Sequence, residues 1–96
     1  MHVGICTIRL HIPENHDLKG KRQVIRPIIE RTRSKFNVSI AEVEDLDKWQ
    51  SAVLGVVCAS NDGAHAHETL TNVAHFIEGL RLDAELLDYE IEVMSA

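Results

Sequence analysis

The chain has 96 residues, of which 45% are hydrophobic and 26% charged, and its 15 acidic and 10 basic side chains give a formal net charge of −5. This composition is typical of one globular domain rather than a disordered chain, and two cysteines are too few for a disulfide scaffold. No apolar run approaches the ~18 residues that cross a bilayer, and no signal peptide is visible, so we expect a cytoplasmic protein with no membrane contact.

The first elements are a strand and a helix. Residues 2–12 are rich in β-branched and aliphatic side chains and end at a proline, which predicts a strand. Residues 18–36 carry the helical period, with Asp17 as N-cap. Pro27 either kinks this helix or marks its true first turn. The predicted apolar face consists of Ile25, Ile28, Ile29, Thr32 and Phe36.

The rest of the chain predicts two strands, a second helix and a last strand. Residues 38–45 alternate between apolar and polar side chains, which predicts a strand. Residues 49–59 predict another strand that is nearly apolar on both faces. A second helix follows residues 60–63, with apolar side chains at Ala66, Leu70, Val73, Ala74, Ile77 and Leu80. Residues 85–94 alternate and predict a strand whose inward side chains are Leu87, Tyr89, Ile91 and Val93.

The order βαββαβ predicts a single ferredoxin-like α+β domain over residues 1–96, with a four-stranded antiparallel sheet and two helices on one face. The first and third strands lie in the centre, and both are apolar on the face that the helices leave bare. An apolar face left in water indicates an interface. We therefore expect a homodimer with Val3, Ile5 and Trp49 at the interface; the alternative is that Arg9, His11, Trp49 and the acidic last strand cover this face.

Many functions use this fold, so the residues must discriminate among them. RNA-recognition motifs stack bases on aromatic residues of the central strands, and here only Trp49, at the very start of one, is aromatic. The phosphate-cradle pattern of acylphosphatases and the glycine turn of ACT-type sensors are also missing. No nucleophile–base pair or carboxylate pair indicates an enzyme, so we expect none.

Charge placement is the strongest functional signal. Residues 19–35 contain seven basic side chains against Glu30 alone, whereas the other 79 residues hold 3 basic and 14 acidic ones. Such a distribution produces a directed field. The seven basic residues are Lys19, Lys21, Arg22, Arg26, Arg31, Arg33 and Lys35.

Three of these cations occupy the first helical turn, where they oppose the helix dipole. We predict that Lys19, Lys21 and Arg22, with the helix amides and a close approach at Gly20, bind phosphate. Seven cations exceed what one small phosphate needs, so RNA is the expected polyanion. The contact would extend to Arg26, Arg33 and Lys35, with His16 assisting. The alternative is a solvated face paired with carboxylates such as Glu14, Glu44, Asp45 and Asp47.

The remaining polar groups give weaker signals. The six histidines do not show the three or four converging ligands of a zinc site, so we predict neither metal nor cofactor. Cys6 and Cys58 fall on the two central strands and are expected to be buried and reduced. The acidic run from Glu42 to Asp47 is expected to be a solvated turn.

Three segments carry a family resemblance: HVGICTIRLHIPENHDLKGKR, RSKFNVSIAEVEDLDKWQ and LGVVCASND. Together they resemble the YlxP-like family of small uncharacterised bacterial proteins, over nearly the whole chain. The resemblance implies a ferredoxin-like fold and no established activity. Family members are often encoded beside translation initiation and ribosome-maturation factors, which implies a ribosomal role. Pro27 departs from the family, whose first helix is usually uninterrupted.

These observations predict a non-enzymatic, cytoplasmic accessory protein that binds RNA through its first helix, in ribosome assembly or translation. The alternative is a homodimeric protein–protein adaptor whose basic helix meets an acidic partner.

Overall fold

The computed structural model describes residues 1–80 and 83–96, and in these ranges the chain forms four strands and two helices. In chain order the elements are β1 (His2–His11), α1 (Leu18–Lys35), β2 (Ser39–Glu44), β3 (Ser51–Ser60), α2 (Gly63–Gly79) and β4 (Glu85–Ser95). The strands form one antiparallel sheet in the order β2-β3-β1-β4. The predicted ferredoxin-like fold, with β1 and β3 in the centre, is confirmed.

The core lies between the sheet and the two helices. β1 alternates strictly, so that Cys6, Ile8 and Leu10 are fully buried while the residues between them are only half-buried. The inward positions of β3, from Ala52 to Cys58, and the apolar stripes of both helices complete the same cluster. The opposite face of the sheet carries neither helix.

Helix α1 begins directly after Asp17, whose side chain caps it as predicted. It ends at Lys35, and the Phe36 amide donates to Thr32 O at 2.9 Å. Pro27 lies inside the helix, so the alternative in which Pro27 opens it is wrong. Neither of the two helices in the described ranges has both the length and the apolar character needed to span a membrane.

A β-bulge in β4 corrects one sequence prediction. Arg9 pairs with Asp88, but Leu10 pairs with Leu86, so Leu87 has no partner in β1. The extra residue reverses the alternation of side chains. Leu87, predicted to face inward, is therefore 61% exposed, and Leu86 packs against the core in its place. Beyond the bulge Ile91 and Val93 pack against the core as predicted, whereas Tyr89, whose ring lies 6.3 Å from that of His75 in α2, is 36% exposed and stays outside the core.

Candidate functional site

Six basic side chains of α1 are exposed and are together called the basic row: Lys19, Arg22, Arg26, Arg31, Arg33 and Lys35. At helical spacing Lys19, Arg22, Arg26 and Arg33 share one side of the helix, whereas Arg31 and Lys35 lie on the flank toward α2. Among the residues that the structure describes, none of the six lies within salt-bridge distance of a carboxylate. The four acidic side chains proposed as partners from the sequence, Glu14, Glu44, Asp45 and Asp47, do not pair with it. The basic row therefore keeps its positive field.

The C-terminal end of the basic row is held by uncharged groups. Arg33 Nη2 donates to the backbone carbonyl of Ile40 in β2 at 3.2 Å. Lys35 Nζ lies 5.1 Å from the centre of the Phe76 ring in α2, a cation–π distance. Neither contact neutralises a charge, so both cations remain available to an anion.

Lys21 does not belong to the basic row, contrary to the sequence prediction. It is 1% exposed, and its Nζ lies 2.7 Å from Glu42 Oε2, 2.7 Å from Asp45 O and 3.1 Å from Ser51 O. A buried ammonium needs such partners because desolvation disfavours an unpaired charge. Lys21 therefore fastens α1 to the β2–β3 hairpin and is not placed to bind phosphate.

The N-terminal end of α1 is already occupied by the protein itself. Asp17 Oδ1 accepts from the Gly20 amide at 2.6 Å. A Cβ at position 20 would collide with Asn15 Oδ1, so the glycine allows the close approach of Asn15 rather than of a phosphate. The predicted helix-end anion site is therefore corrected: a carboxylate occupies the helix end, and the available cations lie along the helix.

His16 is exposed in the β1–α1 loop. It lines a shallow depression of about 640 Å³ that it shares with His11, Trp49 and neighbouring residues of the β2–β3 loop. None of the basic row lines this depression. His16 thus lines a different depression from those that the α1 cations line.

A groove runs between α1 and the edge strand β2. Its volume is about 290 Å³, and it is lined by Arg22, Ile25, Arg26, Ile29, Glu30, Arg33 and Glu42. Ile25 is buried and Ile29 half-buried, so the floor is apolar, while three arginines of the basic row stand around it. Two carboxylates, those of Glu30 and Glu42, also line it. The groove therefore combines an apolar floor with a rim of both charges.

The open face of the sheet is apolar at one end. Val3 and Ile5 of β1 pair with Ala59 and Val57 of β3, and Val57 is 41% exposed. Beside them, Val43 in a bulge of β2 covers Gly55, and exposed Met94 pairs with Val3. These side chains define the apolar patch: Val3, Ile5, Val43, Val57, Ala59 and Met94.

Trp49 does not lie beside the apolar patch. It is 53% exposed in the β2–β3 loop and shares its depression with His11, at the opposite end of β1. Ile5 and His11 are six residues apart, about 20 Å along a strand. The three residues predicted for one interface therefore do not form a continuous surface.

The other end of the open face is charged. Arg9 Nη1 lies 2.9 Å from Asp88 Oδ1 and 3.6 Å from Glu90 Oε1 of β4. The hydrogen bond to Asp88 raises the pKa of Arg9 above its ordinary value. Exposed acidic side chains along β4 thus lie at the sheet edge opposite β2, far from the basic row in the order of strands.

The two thiols are free and buried, as the sequence predicted. Burial raises the pKa of Cys6 to about 11, and Cys58 Sγ lies 3.8 Å from Ala66 O in α2. With this raised pKa Cys6 is a poor nucleophile, because the thiolate is the reactive form. In the described ranges, no group of three or more His, Cys, Asp or Glu side chains converges as metal ligands do.

The acidic run from Glu42 to Asp47 is more ordered than predicted. Besides Glu42, which pairs with Lys21, Asp45 accepts from Ser51 Oγ at 2.8 Å and lies 3.4 Å from Lys48 Nζ. The hydrogen bond from Ser51, assisted by Lys48, lowers the pKa of Asp45. The prediction of a solvated turn was therefore wrong for Glu42 and Asp45.

A sequence signal for the buried ion pair did exist. Lys21 precedes Ile25, Ile28 and Thr32 at helical spacing, which places it on the buried face of α1 rather than with Lys19 and Arg22. Its carboxylate partner could not be found in the same way, because Glu42 comes from a strand whose packing on α1 is tertiary.

Comparisons with known proteins agree on family and fold. A family model described as "Protein of unknown function (DUF503)" matches residues 3–91. The chain is 33% identical over 76 residues to "Uncharacterized protein YlxP" of Bacillus subtilis (strain 168), covering 79% of this chain and 83% of that protein. It is similar in structure to a de novo designed protein with a ferredoxin fold, at a TM-score of 0.57 and 12% identity over 100% of this chain and 87% of the other.

Proposed function

This chain belongs to the DUF503 family of proteins of unknown function, and we propose that it is a non-enzymatic accessory protein that binds RNA phosphates through the basic row of α1. The site differs from the one expected from the sequence. It consists of Lys19, Arg22, Arg26, Arg31, Arg33 and Lys35 along the helix, without Lys21 and without the capped helix end.

One observation carries the proposal: six exposed cations on one helix have no carboxylate partner among the described residues, in a chain of net charge −5. Keeping like charges together without counterions costs free energy in the isolated protein. A bound polyanion would offset that cost and release its own counterions.

The length of the basic row favours a polymer over a small anion. Lys19 and Arg33, on the same side of the helix, are fourteen residues apart, about 21 Å along the axis. Phosphates of a nucleic-acid strand recur along such a distance, whereas a single phosphate would touch only one helical turn. The acidic β4 at the far edge of the sheet would orient the protein, with α1 toward the RNA.

Ribosome assembly or translation in the cytoplasm is the process we propose for this RNA binding. The proposed process rests on the family resemblance, because members of this family are often encoded beside translation factors. It sets the first RNA to test, which is ribosomal RNA.

A second candidate is a homodimeric adaptor whose basic row meets an acidic protein. The apolar patch favours it, since Val3, Ile5 and Val57 form an aliphatic surface that a second copy of the chain could cover. The charge segregation suits an acidic protein as well as RNA. Retention of ribosomal RNA by the pure protein discriminates between the two candidates.

The salt dependence of RNA binding tests the proposal. Binding of ribosomal RNA at ~50 mM salt should weaken steeply as salt rises, with a log–log slope of about −0.7 per phosphate neutralised on single strands. The variant carrying Lys19→Ala, Arg22→Ala and Arg26→Ala should flatten the slope by about two units and weaken binding to all sequences alike.

Lys48→Ala is the matched control, because Lys48 is an exposed cation outside α1 that already has a carboxylate partner. It should leave the slope unchanged. A wild-type protein that ignores ribosomal RNA at low salt would overturn the proposal in favour of the adaptor. So would a triple variant whose affinity and slope match those of the wild type.

A further inference from the structure

The groove between α1 and β2 would give the RNA binding proposed above a preference among RNA ligands. This inference rests on that proposed function. We propose that it takes one unpaired nucleobase, so that the protein prefers single-stranded RNA to the double helix. The phosphates on either side of that base would lie on the arginines at the rim.

The size and floor of the groove suit a base. Its volume of about 290 Å³ is near the lower end for small-molecule pockets. Ile25 and Ile29 offer an apolar floor for the face of a planar ring. A stretch of phosphates alone would gain nothing from covering these two side chains.

The arginines at the rim match a base better than lysines would. The planar guanidinium of arginine stacks on aromatic rings, which the ammonium group of lysine cannot do. Arg33 is already tied to Ile40 O at 3.2 Å, so it loses less freedom when a ring packs against it. Arg22 and Arg26 line the same groove one helical turn apart.

The carboxylate of Glu30 decides what enters the groove. Glu30 is exposed and lines the groove together with the arginines, whereas the other lining carboxylate, Glu42, is already paired with Lys21 at 2.7 Å. The negative charge of Glu30 repels a phosphate, so phosphates remain at the rim and the uncharged base goes inside. A carboxylate accepts hydrogen bonds from exocyclic amino groups of bases, as it does from cytosine N4. The groove should therefore favour cytidine over uridine, which carries a carbonyl oxygen at that position.

A double helix cannot use this groove. Its bases are stacked and paired, and the major groove of A-form RNA is too deep and narrow for side chains to read. A duplex would contact only the basic row, through its phosphates.

Four ligands separate the groove from the basic row: single-stranded oligocytidine, oligouridine, an RNA duplex and inorganic polyphosphate, which has no bases. Fluorescence anisotropy competition on the full-length chain should rank oligocytidine first. The duplex and polyphosphate should bind about fivefold or more weakly at equal phosphate concentration.

The doubly substituted variant Arg22→Lys, Arg26→Lys keeps every charge but removes two guanidinium planes. It should weaken oligocytidine binding by about fivefold or more while polyphosphate binding stays unchanged. Arg9→Lys is the matched control, because Arg9 lies on the open face of the sheet, outside the basic row and outside the groove. It should change neither affinity.

The outcomes distinguish the two proposals. If all four ligands bind equally, or the doubly substituted variant loses nothing, the groove proposal is overturned while RNA binding by the basic row stands. If oligouridine binds as tightly as oligocytidine, the role assigned to Glu30 is wrong. If no RNA binds at all, the proposed function fails and this inference fails with it.

Discussion

Lys21 and Glu42 form an ion pair of 2.7 Å between the first turn of α1 and the edge strand β2. The lysine side chain is 2% exposed and the carboxylate 18%. The same ammonium donates to two backbone carbonyls, Asp45 O and Ser51 O, at either end of the β2–β3 loop. One cation thus joins three segments of the fold, which explains why a charged residue is tolerated in the core.

Lys21→Ala should destabilise the protein by about 3 kcal/mol, because it leaves the Glu42 carboxylate and two carbonyls without their partner. This value is at the low end for broken buried pairs, since the carboxylate retains some contact with water. Urea unfolding followed by circular dichroism measures the change.

Two further variants test the cause of that loss. Lys19→Ala, at an exposed position in the same turn, should change the free energy of unfolding by no more than about 0.5 kcal/mol. Adding Glu42→Gln to Lys21→Ala should recover part of the loss, because an unpaired buried charge is then removed. Equal losses for Lys19→Ala and Lys21→Ala would contradict the structural role of the pair.

Both thiols should react slowly with a thiol reagent in the native protein and rapidly in denaturant, because Cys6 and Cys58 are buried in the core. A colorimetric thiol assay follows both rates. Fast labelling of the native protein would contradict the burial of the two thiols.

Stability should also fall in alkaline solution. Burial raises the pKa of Cys6 from 9.0 to about 11, so the folded chain holds this proton where the unfolded chain has lost it. The free energy of unfolding should therefore decrease as the pH rises from about 9 to about 11. In Cys6→Ala, which has no thiol at this position, the decrease should be smaller, and an identical pH profile would contradict the assignment.

We predict that the chain forms a homodimer through the apolar patch at micromolar concentration. Light scattering should then give twice the 10.8 kDa mass of one chain. Val57→Lys should return the mass to that of the monomer, since it places a charge in the centre of the patch. A monomeric wild type at high concentration would count against the prediction.

Leu18→Lys serves as the control for the dimer, because Leu18 is an exposed apolar residue at the start of α1 rather than on the open sheet face. It should leave the mass unchanged. Trp49→Ala makes a second comparison: Trp49 lies at the opposite end of β1 from the patch, so its removal should not dissociate the dimer.

Patterns within single elements were predictable from the sequence, because they depend on the geometry of one strand or one helix. Cys6 and Cys58 were correctly expected to be buried on the two central strands, and Asp17 was correctly identified as the cap of α1. The order of six elements then left few ways to arrange them, since crossover connections are right-handed. The concentration of basic residues in α1 could also be seen from the sequence alone.

What each cation does was decided by tertiary structure. Lys19, Lys21 and Arg22 are close in the sequence, yet of these three only Lys21 is directed toward the β2–β3 hairpin. There its ammonium group pairs with Glu42 and donates to two main-chain carbonyls at the ends of the β2–β3 loop. The bulge at Leu87 likewise depends on the register between β4 and β1 rather than on β4 alone. The groove between α1 and β2 exists only because Arg33 and Ile29 pack beside a strand that follows them in the chain. A side chain's partners come from segments that its local sequence does not contain, and it is those partners that determine whether a charge is buried, paired or left for a ligand.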